Sequence, residues 1–131
     1  MAVFGTAVSV NAQEKIPYRG YETLTEKAEK FEEDGNFHEA FETLHQLNKN
    51  DSNYYTSLTS QSYYLINDEE RDSTKYELAI ELLQQGIESD EVESKYYYYI
   101  NKAASLSNLG KEAEALAVYD EGLKKYNKSY Y

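Results

Sequence analysis

The sequence has no cysteine and no tryptophan, one proline at Pro17, and six glycines. Without cysteine there is no disulfide framework, no thiolate metal site and no thiol nucleophile. Basic residues are scarce as well. Thirteen lysines and arginines face 24 acidic residues over 131 positions, a formal net charge of −11. A nucleic-acid backbone or an anionic membrane surface wants a basic patch, so neither is expected as a partner. A basic or mixed protein or peptide is compatible. No run is long and apolar enough to span a bilayer.

What the chain does have is tyrosine, 15 in all, four of them consecutive at positions 96–99. Its length suffices for one domain or a short repeat array with a real core. Positions 1–13, MAVFGTAVSVNAQ, carry no charge. Val10-Asn11-Ala12 before Gln13 resembles the end of a secretory signal peptide, although a basic leader and a full apolar core are missing. The expectation is an exported, periplasmic or envelope protein of bacterial type; the alternative is an apolar tail on a cytoplasmic domain. The division is 1–12 for this segment, 13–20 for a linker, and 21–131 for a helical domain.

Within that domain three segments share one pattern, spanning 21–52, 53–91 and 94–128. Each has a helical stretch, a polar break and a second helical stretch. Leu24, Ala28 and Phe31 recur at helical spacing, as do Leu58, Ser62 and Leu65, and Tyr99, Ala103 and Leu106. Asp34-Gly35 and Gly110 break the first and third segments; a longer polar loop, 67–73, breaks the second. Asn36 with Glu39, and Thr74 with Glu77, suggest capped helix starts. The second helices present Phe37, Ala40, Phe41, Leu44 and Leu47; Tyr76, Ala79, Ile80, Leu83 and Ile87; and Leu116, Tyr119 and Leu123. Ala40, Ala79 and Ala115 occupy matching places.

Helix pairs with small residues at Ala28, Ser62 and Ala103, glycines at Gly35 and Gly110, and an alanine followed by a large apolar residue in each second helix resemble tetratricopeptide repeats. The resemblance covers about 110 residues. It implies an all-α fold: a right-handed α-solenoid of antiparallel helix pairs, about six helices. The sequence departs from the family pattern at Ser52, Glu91 and Asn127, where a proline usually closes the repeat, and in the enlarged middle loop.

Four residues in a row go round a helix, since successive side chains are about 100° apart. Tyr99 is therefore expected in the core with Tyr96 on its flank. Tyr97 falls on another stripe with Ile100, Ala104 and Ser107, and Tyr98 leans towards the preceding repeat or solvent. A buried strand is the competing reading, but no partner strand is visible.

No catalytic residue, cofactor site or metal site is assigned. His38, Glu42 and His45 form H-x3-E-x2-H, a pattern with zinc-binding side chains, but one helix rarely closes a site, and a solvated outer face is the favoured reading. The acidic loop 67–73 lacks the ligand spacing and central glycine of a calcium loop and is read as a solvated connection. Phosphate loops and nucleophile elbows are missing, so an enzyme is not expected.

In a tetratricopeptide stack the first helices line a concave groove. The resemblance then places Glu22, Thr25, Glu29 and Glu32, then Thr56, Thr59, Tyr63 and Ile66, then Tyr97, Ile100, Ala104 and Asn108 along it. The site residues are Glu22, Glu29, Glu32, Tyr63, Ile66, Tyr97, Ile100 and Asn108, unless the apolar ones merely pack between repeats. One end is acidic and the other aromatic and apolar, which suits an extended or helical segment with basic and apolar side chains. The family's groove for C-terminal carboxylates is not carried over, because Glu29 and Ala104 stand where asparagine is wanted. The function expected is a non-enzymatic protein–protein interaction module. The alternative is the N-terminal part of a larger extracytoplasmic sensor or envelope assembly protein.

Overall fold

The computed structural model describes residues 20–126. The uncharged segment 1–12, the linker up to residue 19 and positions 127–131 lie outside the described residues. Within 20–126 the chain is all-α, with six helices and no strand. They are α1 (Tyr21–Glu33), α2 (Phe37–Leu44), α3 (Tyr54–Asn67), α4 (Ser73–Glu88), α5 (Tyr96–Asn108) and α6 (Glu112–Tyr126). Each helix packs on the next, and α3 also packs on both α1 and α5, so these three stand side by side.

Two helix ends are built alike. Gly35 and Gly110 have φ of 77° and 83°, a region costly for any residue with a Cβ. After α1, Gly35 N–H donates to the Glu32 carbonyl and Asn36 N–H to the Phe31 carbonyl. After α5, Gly110 N–H donates to Ser107 and Lys111 N–H to Leu106 in the same arrangement. This double bond pattern satisfies carbonyls that a helix end would leave open. It also alters the cap expected at α2. Asn36 Oδ1 accepts the Glu39 N–H at 3.2 Å, but its own N–H already serves Phe31, so the reciprocal half of a capping box is absent. The start of α4 differs too: Asp72, two residues before the expected Thr74, caps it by accepting the Thr74 N–H at 3.0 Å.

The main core is drawn from α1 to α5. Leu24, Leu44, Leu58 and Leu83 are essentially sealed from solvent. The central α3 is polar yet buried, and its polar groups are paired in series. His45 Nδ1 donates to Gln61 Oε1 at 2.7 Å, Gln61 Nε2 donates to Ser57 Oγ at 3.0 Å, and Ser57 Oγ donates to the Tyr54 carbonyl at 2.6 Å. Leaving any of these unpaired would cost about 1–3 kcal/mol. His45 is thus tied to α3 and its ring stacks on Phe41 at 4.8 Å, while both it and His38 keep the exposed position expected of them.

In loop 68–72 residues 69–72 are exposed as expected, and Asp68 alone departs from the solvated reading. Asp68 is buried; its carboxylate accepts from Lys75 Nζ at 2.9 Å and from the Glu70 N–H at 3.0 Å, with His38 at 4.0 Å. Burial pushes its pKa up, but the Lys75 and Glu70 bonds outweigh that and hold it below the ordinary aspartate value. The loop is a strut between α2 and α4.

The four tyrosines form the first turn of α5. Tyr98 and Tyr99 are both buried and point to opposite neighbours. Tyr98 lies over Gly86 of α4 and donates its hydroxyl proton to the Tyr55 carbonyl of α3. Tyr99 lies over Gly122 of α6. Each ring fits because the helix beneath it carries no Cβ there. Burial, and then Tyr21, raise the Tyr98 hydroxyl pKa to about 12, so it remains a donor.

The last helix corrects one expectation. Leu116 and Tyr119 are 69% and 41% exposed, and the buried positions of α6 are Ala115 and Gly122, with Val118 packed beside them. Small residues let α6 approach α5 closely, which rotates the large apolar ones outward. Among the described elements α6 packs on α5 alone.

Candidate functional site

Because α1, α3 and α5 stand side by side, one face of each contributes to a shared concavity of about 500 Å³. Thr25, Glu29 and Glu32 come from α1 at helical spacing. Thr56, Thr59, Ser60 and Tyr63 come from α3, Tyr97 and Asn101 from α5, and Val92 and Ser94 from the α4–α5 connection. Tyr97 is 67% exposed and Tyr63 46%, the two large rings that face solvent here.

The walls are held by specific bonds. Asn101 Nδ2 donates to the Thr59 carbonyl and lies equally close to Ser62 Oγ, both at 3.3 Å, which fixes α5 against α3. Tyr64 Oη donates to Glu32 Oε1 at 3.3 Å. Burial first, and the Glu32 carboxylate second, push the Tyr64 hydroxyl pKa far above its usual value, so it stays protonated and keeps that bond. Tyr63 meets Phe37 edge-on at 6.2 Å, and Tyr97 meets Tyr96 edge-on at 5.1 Å, so each exposed ring rests against another. Thr25 Oγ1 is buried at the wall and has no hydrogen-bond partner.

Charge is unevenly spread. Residues 20–94 hold 19 acidic and five basic side chains, net −14, whereas residues 95–126 hold four acidic and five basic, net +1. The concavity lies mostly within the acidic part. Carboxylates on one wall and tyrosine faces on the other can take an ammonium or guanidinium group by ion pairing and cation–π contact, and an apolar side chain against the rings.

Of the eight residues expected at the site, the structure gathers Glu29, Glu32, Tyr63 and Tyr97 in this concavity. Glu22 lines a separate recess with Tyr21, Asp51 and Asn53. Ile66 is half-buried against the main core. Ile100 lines a recess between α5 and α6, and Asn108 is exposed at the end of α5. Ser60, Val92, Ser94 and Asn101 were not expected there. Asn101 is four residues after Tyr97, on the same face, and that spacing could have revealed it; the two loop residues carry no periodic signal. Among the described residues no three His, Cys, Asp or Glu side chains come together as a metal cluster. No described helix is long and apolar enough to cross a membrane.

Comparison of the chain with protein-family models, with curated proteins and with solved structures finds no match.

Proposed function

We propose that the chain is a non-enzymatic protein-interaction module whose three helix pairs stack as a tetratricopeptide-like α-solenoid. Its concave face takes an extended or helical protein segment bearing basic and apolar side chains. The observation that carries this reading is the juxtaposition of Glu29 and Glu32 with the exposed rings of Tyr63 and Tyr97 in one concavity. Aromatic side chains that stay solvated in a recess supply the large, rigid contact area on which interfaces depend. The acidic surroundings speed capture of a basic segment and do so less at high salt.

Panning a random peptide library on the protein tests this. Enrichment of segments combining Lys or Arg with apolar residues, lost on a Tyr63→Ala/Tyr97→Ala variant of unchanged helicity, supports it. Enrichment indifferent to those two residues refutes it. Export, proposed from Val10-Asn11-Ala12, is tested separately by N-terminal sequencing of the protein secreted by its native host; a cytoplasmic protein that retains Met1 refutes it.

A further inference from the structure

The outward face of α6 points to a second copy of this chain as its partner. We infer that the protein forms a two-fold dimer through antiparallel packing of α6 on α6.

The surface is apolar and shaped. Leu116 and Tyr119 are the exposed large apolar side chains of α6, and they rim a recess of about 370 Å³ between α5 and α6 whose floor is Ile100, Ala103, Ala104 and Ala115 and whose polar end is Glu112, its carboxylate accepting from Ser107 Oγ at 2.9 Å. Knob and hole therefore lie next to each other on one patch. A patch of that kind is self-complementary under a two-fold axis, each copy placing its knob in the other's hole.

Charge selects the occupant. The third helix pair is close to neutral, net +1 over residues 95–126, whereas residues 20–94 carry −14. Two copies meeting through α5 and α6 keep their acidic parts apart, at distances where salt screens repulsion. A basic partner would be drawn to the other end of the molecule.

The order of charges along α6 sets the orientation. Its first turn holds Glu112 and Glu114, and its last turn Lys124 and Lys125. Glu112, Leu116, Tyr119 and Leu123 follow one another at four, three and four residues, one stripe of the helix. Antiparallel packing centred near residue 118 sets Leu116 against the partner's Tyr119 and Glu112 against the partner's Lys124, and the two-fold axis repeats both contacts. Parallel packing would set acid against acid and base against base. Within one copy Glu112 and Lys124 are about 18 Å apart along the helix, at about 1.5 Å per residue, so they do not pair with each other. Among the described residues Lys124 pairs with Asp120, at 3.6 Å, and both side chains are exposed, so that pair is readily exchanged.

Sedimentation-velocity ultracentrifugation of the full chain over a concentration series reads the association state. The expected result is a monomer–dimer equilibrium. Leu116→Glu should raise its dissociation constant by at least about tenfold, since a two-fold interface counts each substitution twice. Helical circular dichroism of that variant should be unchanged, because position 116 is solvent-facing in the single chain. Glu112→Lys and Lys124→Glu should each weaken the dimer, and the double exchange should restore it, a rescue that only antiparallel self-pairing produces. A monomer at every concentration overturns the inference, as does a dimer indifferent to Leu116→Glu or one without charge-exchange rescue. The groove variants Tyr97→Ala and Glu29→Gln leave this equilibrium in place, so its failure and that of the groove reading are separable.

Discussion

Replacing Gly86 by alanine puts two opposing effects in direct competition. On an open helix surface alanine is about 1 kcal/mol better than glycine. Here the new Cβ would lie 2.0 Å from Tyr98 Cε2 and 2.3 Å from Cδ2. Carbon atoms rest roughly 3.5–4 Å apart, so the ring must retreat by more than about 1 Å. It has nowhere to go without loss. Tyr98 is buried, and its hydroxyl is pinned to the Tyr55 carbonyl of α3. Overpacking costs about 1–3 kcal/mol, and a strained or broken buried hydrogen bond about 1 kcal/mol more. The net expectation is destabilisation of about 1–3 kcal/mol. In a domain of this size that lowers the melting temperature by roughly 5–15 °C. Urea unfolding followed by far-ultraviolet circular dichroism reads it. In a Tyr98→Leu background the obstacle is gone, and the same Gly86→Ala change should be neutral or stabilising. A parent-background Gly86→Ala as stable as wild type would refute the seating of Tyr98 on α4.

Gly122→Ala should destabilise chiefly the third helix pair, by about 1–3 kcal/mol, because its Cβ would meet Tyr99 Cβ at 2.6 Å; hydrogen exchange should show α6 opening first. Asp68→Asn should cost about 2 kcal/mol near neutral pH by weakening the Lys75 bond. Since the folded pKa of Asp68 is lowered, its contribution is full above the unfolded aspartate pKa and vanishes as pH falls through the folded one. Wild type and Asp68→Asn should therefore begin to converge in stability only as pH falls below about 4, and meet once it has passed the lowered folded pKa; a gap that persists in stronger acid contradicts the strut. Tyr97→Ala should speed dissociation of a groove-bound peptide without altering unfolding, as the ring is mostly solvated. Glu29→Gln should slow association at low salt only.

The periodicity of Leu24-Ala28-Phe31 and its counterparts was enough to expect six helices, because each buries one stripe and the spacing records it. The breaks at Gly35 and Gly110 were equally plain, since the left-handed turn selects the residue. The orientation of α6 was not. Large apolar residues mark a core face by default, but here close approach was achieved with Ala115 and Gly122, so the large ones turned outward. Its signal was present as the seven-residue spacing of Ala79 with Gly86 and of Ala115 with Gly122, which places two small residues on one stripe. Asp68 looked like part of a solvated acidic run because its partner, Lys75, lies seven residues away across a helix start. At the groove, Tyr63 and Tyr97 were legible as helical faces. Ile100 was misplaced because the stripe on α5 runs from Tyr97 to Asn101, a one-residue difference that moves a side chain by about 100° around the helix.

Where an occupant sits on the surface decides between the groove and every other face. Amide NMR spectra of the labelled protein, titrated with a library-selected basic and apolar peptide, give that map residue by residue. The largest shifts are expected at Glu29, Glu32, Thr56, Tyr63 and Tyr97, with His38 and loop 68–72 unmoved and the whole response lost on Tyr97→Ala. Shifts centred on His38 or on α2, or a response untouched by Tyr97→Ala, would contradict the groove as the binding surface.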